Sequence, residues 1–383
     1  MKKSTKKKFL IAGSIFLSLF LFYIAWLSFQ LLNFKTYKTS PTKLDAKEIE
    51  GAYHIHSLFS DGRASVDRIV HWAAQTKLNF IILTDHGRPN YDCLASQGRK
   101  EGVLILAGSE LSVNRGHLVG LDFGQPPQPF SQIAEEAVCQ INSRGGLTII
   151  AHPYSKVSWS WGEFVDYAGL EVINANSMLE TNIWPSLPYL PALLLKPQYA
   201  LLKMLDNPWK NLRKWDELNR PHPIYGYYSI DAHLLYRSLF NLFHLHLNLN
   251  RPLVPNFKDA SRQIYTTLKK GRFYNAIDGA AEAKGFKFFA KSRDKTEIYP
   301  MGAIVKTRFP LSLHIKAPFS LAKEIHLILN GKVILRSQQE EIVYAAKTPG
   351  IYRVEVYLKE KSPLGQEIPW ILSNPIFLRR KPK

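Results

Sequence analysis

The stretch GAYHIHSLFSDG, residues 51–62, begins with an apolar run that ends in polar residues, which is the pattern of a short buried strand. His54 and His56 stand two positions apart in it, so on a strand both imidazoles are expected on one face. Asp61 follows directly after them. An HxH pair alone is weak evidence for a metal site, because a chain with 12 histidines contains such pairs by chance.

The same arrangement recurs further along the chain. Apolar runs that end in polar residues alternate with helical patterns, which predicts an α/β fold with a largely parallel sheet or barrel. Strands are expected in GAYHIHSL, NFIILTDH, GVLILAGSEL, GHLVGLDF, LTIIAHP, GLEVINAN and IYGYYSIDAH. Helices are expected in VDRIVHWAAQTK, capped by Ser65, and in QIAEEAVCQINSR, capped by Ser131.

Almost every predicted strand ends in an imidazole or a carboxylate. The carboxyl ends of parallel barrel strands meet at one rim, where active sites are built from several loops. We therefore expect one cluster of metal-binding and catalytic side chains, made of His54, His56, Asp61, His86, Glu110, His117, His152, Asp231 and His233. At about four to six donors per ion, this set suits two or three divalent transition metal ions, and zinc, manganese and iron all remain possible.

The ordered motifs HxHxxxxDG, TDH, a lone Glu, GHxxG, AHP and DxH resemble the PHP family, named for its polymerase and histidinol phosphatase members. The resemblance covers residues 51–283 and implies a distorted seven-stranded barrel with up to three metals. It implies one ion bound by His54, His56, Glu110 and Asp231, a second by Glu110, His117 and His152, and a third by Asp61, His86 and His233.

Within this family the chain is most similar to the carbaryl-hydrolase branch. The segments WDELNRPHPIYGYYSIDAH, TTLKKGRFYNAIDG, HLILNG, YRVEV and PWILSNPIF match the passage of that branch from its barrel into a C-terminal β-domain. Ser229-Ile230 before Asp231 is a departure, because smaller residues are usual there.

The expected activity is that of a metal-dependent hydrolase, in the first place a phosphoesterase in which a hydroxide bridging two ions attacks a small-molecule or anionic ester. Hydrolysis of a carbamate, an amide or another ester on the same metals is the alternative. A non-catalytic tethered binding protein, with the barrel as a metal-stabilised scaffold, is a third reading. Arg63, Arg88 and Arg115 follow the motifs closely and suit either an anionic substrate or surface salt bridges.

The N-terminus predicts a membrane anchor. Residues 1–8 are basic, and residues 9–32 carry no charge over a length sufficient to cross a bilayer of about 30 Å. Because lysines before a span stay cytoplasmic, a single-pass protein of the cell (inner) membrane is expected, with its catalytic part outside the cytoplasm. Residues 33–50 would then be a tether. A cleaved signal peptide is the competing interpretation.

The remaining features are weaker signals. Residues 284–383 predict a separate β-sandwich with a hairpin turn at Asn330-Gly331. The apolar, proline-rich insertion 183–205 is interpreted as a lid, a membrane-resting flap or a packed cover of the barrel rim. A second HxH pair, His244 and His246, is interpreted as structural. The net charge is +19, but the sequence has no basic stripe with interleaved aromatics, so no nucleic acid partner is expected.

Overall fold

The computed structural model describes residues 2–37, 45–162, 166–292, 294, 296–307, 310–318, 323–359 and 362–380. Residues 38–44 of the predicted tether lie outside them. The prediction of a mixed α/β chain with an apolar N-terminal helix and a C-terminal β-rich region is confirmed.

The strands of the described residues are β1 (Glu48–Ile55), β2 (Phe80–Leu83), β3 (Gly98–Lys100), β4 (Val103–Val113), β5 (Gly116–Leu121), β6 (Leu147–Ile150), β7 (Gly169–Asn174), β8 (Tyr225–Ser229), β9 (His244–Asn248), β10 (Phe273–Ala276), β11 (Lys287–Lys291), β12 (Ile298–Pro300), β13 (Ile304–Thr307), β14 (Leu311–Lys316), β15 (Lys323–Leu329), β16 (Lys332–Ser337), β17 (Glu341–Ala346), β18 (Gly350–Leu358), β19 (Ile371–Ser373) and β20 (Ile376–Arg380). The helices are α1 (Lys2–Asn33), α2 (Val66–Gln75), α3 (Tyr91–Ala95), α4 (Ala134–Ser143), α5 (Ala175–Thr181), α6 (Ile183–Ser186), α7 (Ala192–Leu195), α8 (Pro197–Met204), α9 (Trp209–Leu218), α10 (Tyr236–Phe240) and α11 (Phe257–Lys269), with a 3₁₀ turn at Leu187–Tyr189.

Each of the seven strands predicted for the barrel is present, in the order β1-β2-β4-β5-β6-β7-β8. Neighbours in this series are parallel, except that β5 is antiparallel to both β4 and β6. The sequence predicted a largely parallel sheet, and GHLVGLDF is the strand of this series that departs from it. Only Asn114 and Arg115 separate β4 from β5, and a connection of two residues can join only antiparallel strands.

The segment after β8, the last strand of the series, lies beside β1, the first. After β8, the amides of Ile230 and Ala232 donate to the carbonyls of Tyr53 and His54, at 3.1 and 3.2 Å, and the His56 amide donates to the Ala232 carbonyl at 3.0 Å. The loop that carries Asp231 thus lies beside the end of β1. Closure into a complete barrel stays a prediction.

Both faces of these strands are buried, which explains their uninterrupted apolar runs. In β2, Phe80 and Ile82 belong to one buried cluster, while Ile81 and Leu83 belong to another that also contains residues of α2 and α4. Helix α2 follows Ser65 as predicted. The predicted cap at Ser131 is wrong, because α4 begins at Ala134 after Ile133. The Ser131 hydroxyl instead accepts from the Ile133 amide and donates to the Glu136 carboxylate of α4.

The C-terminal strands form two sheets. One is the four-stranded sheet β12-β11-β14-β17. The other continues from the barrel strands, because β19 pairs with β10 and β10 pairs with β9. The predicted hairpin joins β15 to β16, with φ of 51° at Asn330 and 81° at Gly331, as a type I′ turn requires. The C-terminal region thus shares a sheet with the barrel strands, and the domain boundary at 283/284 stays a prediction.

The insertion 183–205 folds into short helices that pack against α1. The Tyr23 hydroxyl donates to the Pro188 carbonyl at 2.8 Å. A small buried cluster is shared between the two segments and consists of Leu27, Leu31, Ala192, Tyr199 and Ala200. Other apolar side chains of the insertion remain exposed, with Trp184 at 78%, Leu194 at 90% and Leu195 at 73%.

Candidate metal centre

The structure brings together the nine side chains predicted as ligands. They form three groups in which the ligand atoms lie within 4.8 Å of one another. The groups are His54, His56, Glu110 and Asp231; Glu110, His117 and His152; and His56, Asp61, His86 and His233. These groups match the partition implied by the PHP resemblance, except that His56 also belongs to the third group.

Glu110 connects two of these groups. Its Oε2 lies 3.1 Å from Nε2 of both His54 and His56. Its Oε1 lies 3.0 Å from His117 Nδ1 and 2.8 Å from His152 Nε2. The carboxylate is buried on β4, at 1% exposure. Each oxygen therefore faces a different set of imidazoles, which is the arrangement of a bridging ligand.

Strand alternation alone does not explain why the side chains of His54 and His56 converge. The pairing of β1 with β2 shifts register between Tyr53 and Ile55, and His54 between them has φ of 69°. His56 lies beyond the end of β1. The two Nε2 atoms lie 3.1 Å apart. The two rings therefore meet through a backbone irregularity at His54, which regular strand alternation did not predict.

Two further ligands also have a strained backbone with a positive φ. His152 has φ of 25° and Asp231 has φ of 46°. Non-glycine residues in this region cost of order 1–3 kcal/mol each and are concentrated at functional sites. The loops after β6 and β8 are therefore bent at the positions where their side chains enter the cluster.

His117 reaches the cluster from the opposite direction. It stands at the start of β5 and not at its end. Because β5 runs antiparallel to β4 and β6, its amino end lies at the same rim as their carboxyl ends. The sequence predicted His117 at the end of a strand, and the structure has it at the start of an antiparallel one.

The three groups differ in their access to solvent. The side chains of His54, His56 and Glu110 are at most 1% exposed, whereas those of Asp61 and His86 are 54% and 33% exposed. Asp61 Oδ2 lies 3.2 Å from His233 Nε2. The more open side faces a cavity of about 250 Å³, lined by His86, Glu110, His117, His152, Ser155, Lys156, Val157, Asn176, Ser177, Glu180, Asp231 and His233.

Glu171 is a positioning residue that the sequence analysis missed. Its Oε1 lies 2.6 Å from His54 Nδ1, and its Oε2 accepts hydrogen bonds from the His152 amide and from Asn174 Nδ2, both at 2.8 Å. A carboxylate behind a ligating imidazole fixes the orientation and tautomer of the ring. A sequence signal exists, because Glu171 is the one acidic residue in the fully buried strand GLEVIN.

Ser155 orients a second imidazole. Its hydroxyl donates to the Val157 carbonyl at 3.1 Å and lies 3.0 Å from His152 Nδ1. Since the hydroxyl proton is already used, Ser155 can only accept from a protonated Nδ1. This leaves the lone pair of His152 on Nε2, which faces Glu110, and it argues against Ser155 as a nucleophile.

Asp85 holds the loop that leads to Asp61. Its Oδ1 accepts from the Ser57 amide at 2.7 Å and from the Ser60 hydroxyl at 2.6 Å, while Oδ2 accepts from the Ser57 hydroxyl at 2.8 Å. Asp85 thus contacts the turn after β1, as the interpretation of a structural residue requires.

The electrostatics of the cluster favour bound cations. Burial acts to raise the pKa of Glu110, but the imidazoles of His54, His117 and His152 hold it well below its usual range. Burial likewise acts to lower the pKa of His56, yet the neighbouring carboxylates of Asp231 and Glu110 raise it to about 9. The carboxylates are therefore ionised, and the cluster attracts positive charge.

The donor set fits divalent metal ions. Within the described residues, the buried Oδ1 of Asp231 and Nδ1 of His86 have no hydrogen-bond partner. Asp231 Oδ1 lies 3.3 Å from His56 Nε2, a separation that suits two ligand atoms of one ion. Mixed imidazole and carboxylate sets bind zinc, manganese or iron.

The arginines near the motifs lie away from the cavity lining. Arg115 donates to Glu135 through Nε, at 2.7 Å, and through Nη2, and it also donates to the Ser160 carbonyl. Arg88 donates to the Phe130 carbonyl at 2.8 Å. Both therefore have structural partners. Arg63 is exposed.

The order of the motifs and the convergence of their residues define a PHP-like chain, as the sequence predicted. The chain is 31% identical to the uncharacterized protein MJ1587 of Methanocaldococcus jannaschii over 121 residues, which make up 30% of this chain and 70% of the archaeal protein. The chain belongs to the same family as this archaeal protein. No family model matches it.

Two solved structures are similar to the chain at low sequence identity. One is a two-domain protein from Bacteroides vulgatus, described as containing a predicted PHP-like metal-dependent phosphoesterase, with 14% identity and a TM-score of 0.39 over 89% of this chain and 99% of that chain. The other is an amidohydrolase from Chromobacterium violaceum, with 17% identity and a TM-score of 0.31 over 48% of this chain and 87% of that chain. The resemblance to the carbaryl-hydrolase branch stays a prediction.

Proposed function

We propose that this chain is a metal-dependent phosphoesterase, anchored in the cell (inner) membrane with its active site outside the cytoplasm. The observation that carries the enzymatic part is the arrangement of nine ligands in three groups, two of which share Glu110. The buried group provides a rigid base, and the exposed group opens to a cavity where a substrate can enter.

Some residues of the cluster would bind the metal ions, and others orient the imidazole rings. Divalent ions held there would lower the pKa of water towards ~7 and polarise an ester oxygen. Glu171 and Ser155 hold His54 and His152 in the tautomers that leave Nε2 available. Among the lining residues, Lys156 and Asn176 provide a positive charge and an amide donor, which suit an anionic ester. Lys156 Nζ also lies 3.3 Å from Glu180 Oε2, which lines the same cavity.

The contacts of α1 support a retained anchor. Residues 7–33 are long and apolar enough to cross a membrane, and 6% of their most apolar window is buried. The part of the helix that is buried is its last third, which packs against the insertion 183–205. There Lys196 Nζ donates to the Leu31 carbonyl. A cleaved signal peptide would leave this apolar contact surface of the insertion uncovered.

Turnover by the full-length protein in detergent tests the enzymatic proposal. After loading with zinc, manganese or iron, the protein is assayed on phosphomonoesters, phosphodiesters, carbamates and amides. We expect turnover of a phosphoester that is lost in His152→Ala and retained in His71→Ala, an exposed histidine on α2 that contacts Glu101. Turnover of carbamates or amides alone would replace the proposed substrate class. Full metal loading without any turnover would favour the scaffold interpretation.

Accessibility of Cys139 tests the topology, because this thiol is exposed on α4. A membrane-impermeant maleimide should label Cys139 in intact spheroplasts, and a Cys139→Ser variant should remain unlabelled. Labelling only after lysis would contradict an extracytoplasmic site. Extraction of the chain by alkaline carbonate would contradict the anchor.

A further inference from the structure

The pair His244 and His246 belongs to a second enclosed cluster on the opposite side of β1 from β2. In the antiparallel pairing of β9, His246 lies opposite Glu50 of β1 and Tyr274 of β10. Residues two apart on a strand share a face, so His244 points to the same side. Asp278 follows β10 and completes the cluster, with its Oδ2 between the two imidazoles.

The ligand-type atoms of this cluster lie close together and are buried. Asp278 Oδ2 is 3.0 Å from His244 Nδ1 and 2.8 Å from His246 Nε2. Glu50 Oε2 is 3.6 Å from His244 Nδ1. His244 and Asp278 are each 7% exposed, and His246 is fully buried. Such separations are close to those between neighbouring ligand atoms around one ion.

Each imidazole is oriented through the nitrogen that does not face the cluster. His244 Nε2 lies 2.6 Å from the Phe240 carbonyl, so this nitrogen must be the donor and Nδ1 is left to face Asp278. His246 Nδ1 lies 3.3 Å from Glu48 Oε1. Glu48 is itself held by the Tyr274 hydroxyl and the Gly285 amide. A carbonyl or carboxylate behind each ring is the usual support of a ligating histidine.

We propose that His244, His246 and Asp278, with Glu50 as the fourth ligand, form a second metal site for a divalent cation such as zinc. The competing account is an ion network of two protonated imidazoles around Asp278. In that account Nδ1 of His244 and Nε2 of His246 both donate to Asp278 Oδ2, from 3.0 and 2.8 Å. The same three atoms, with Glu50 Oε2, are those that would hold the ion, so metal binding separates the two accounts.

The composition of the cluster predicts a structural role. Four protein ligands close a tetrahedral shell and leave no position for a substrate. Glu50 keeps its other oxygen on Lys284, at 2.7 Å, so its Oε2 is available. The site would tie β1 and β9 to the segment after β10. Glu50 precedes His54 by four residues, about 13 Å along a strand, so this site is distinct from the catalytic cluster and does not depend on the proposed function.

Cobalt binding to a variant with all three catalytic ligand groups disrupted tests the proposal. The full-length His56→Ala/Glu110→Gln/His233→Ala variant, in which each of the three groups keeps only two ligands, is stripped with a chelator and titrated with Co²⁺. We expect about one equivalent to bind tightly with the intense visible absorption of tetrahedral cobalt. The same variant with Asp278→Asn added should lose this band. A matched addition of Asp259→Asn, an exposed residue on α11, should keep it.

The outcomes separate the two accounts. Absence of tetrahedral cobalt in the His56→Ala/Glu110→Gln/His233→Ala variant would overturn the proposal, and this variant keeps the second cluster intact whether or not Asp278→Asn folds. An unchanged cobalt spectrum after Asp278→Asn would also overturn it. Loss of the band in the Asp278→Asn variant, with an unchanged circular dichroism spectrum, would support it.

Discussion

The chain carries two His-x-His pairs on neighbouring strands, and their surroundings differ. His54 and His56 lie at the end of β1, where loops from several strands converge and a cavity opens beside them. His244 and His246 lie within β9, which pairs with β1, and they are enclosed by Glu48, Glu50 and Asp278. The same spacing thus occurs in an open cluster and in a closed one.

The comparison shows that the His-x-His spacing does not determine what a pair of histidines binds. Two histidines on one face supply imidazoles, but the number and direction of nearby carboxylates decide what they bind. The pair on β1 meets ligands from six other segments and keeps an open side. The pair on β9 meets three carboxylates and is buried. The open pair suits chemistry on a substrate, and the closed pair suits a structural role.

The largest effect is expected from removing the shared carboxylate of the open pair. Glu110→Gln keeps the size of the side chain but removes the charge between two ligand groups. Hydrolytic activity should fall at least about a thousandfold, since metal chemistry contributes several kcal/mol to the transition state. Steady-state kinetics and metal content measure the effect. Retained activity with full metal content would contradict the role of Glu110.

The next effect is expected at the closed pair, and it concerns stability. Asp278→Ala leaves His244 and His246 without their shared anion. The free energy of unfolding should fall by about 3–5 kcal/mol, as for other broken buried charge pairs. Denaturant unfolding measures this loss, with Asp259→Ala on the surface as the control. An unchanged midpoint would show that the enclosed cluster contributes little to the fold.

Replacing the carboxylate behind one histidine of each pair compares the two sites directly. Glu171 supports His54, and Glu48 supports His246. Glu171→Gln should lower activity or metal affinity about 10- to 100-fold. Glu48→Gln should lower metal affinity at the second site by a similar factor and affect hydrolysis less than Glu171→Gln does. Equal effects of both variants on hydrolysis would contradict the separation of the two sites.

The smallest effect is expected from Ser155→Ala. The hydroxyl supports His152 by one hydrogen bond at the edge of the cavity. Its net contribution should be about 0.5–1.5 kcal/mol, which corresponds to a loss of activity of no more than about tenfold. A loss as large as that of His152→Ala would instead identify Ser155 as a reacting group. The measurement is kcat/KM with the phosphoester found in the screen.

Much of the barrel region could be predicted because its strands are buried on both faces. Runs such as FIIL at β2 and LTII at β6 are continuous and end in histidine or aspartate, so both the strands and their rim residues are visible in the sequence. The hairpin turn at Asn330-Gly331 was equally direct, because few residue pairs accept two positive φ values.

The features that were missed depend on contacts between distant residues. Nothing near His54 indicates that Glu171, 117 positions away, lies behind it. The second cluster likewise joins His246 to Asp278, 32 positions later, and to Glu48, so a local search for acidic neighbours could not find it. The irregular backbone at His54 and the reversed direction of β5 arise from strand pairing, which alternation along one segment does not encode.

Glu110 divides its two oxygens between two ligand groups, and this makes occupancy of the groups cooperative. A cation bound among His54, His56 and Asp231 would fix the rotation of the carboxylate and thereby prepare its other oxygen for His117 and His152. Such linkage is reciprocal, so each ion raises the affinity for the other by the same factor. Metal titration of the apoprotein should then rise more steeply than the curve for two independent sites.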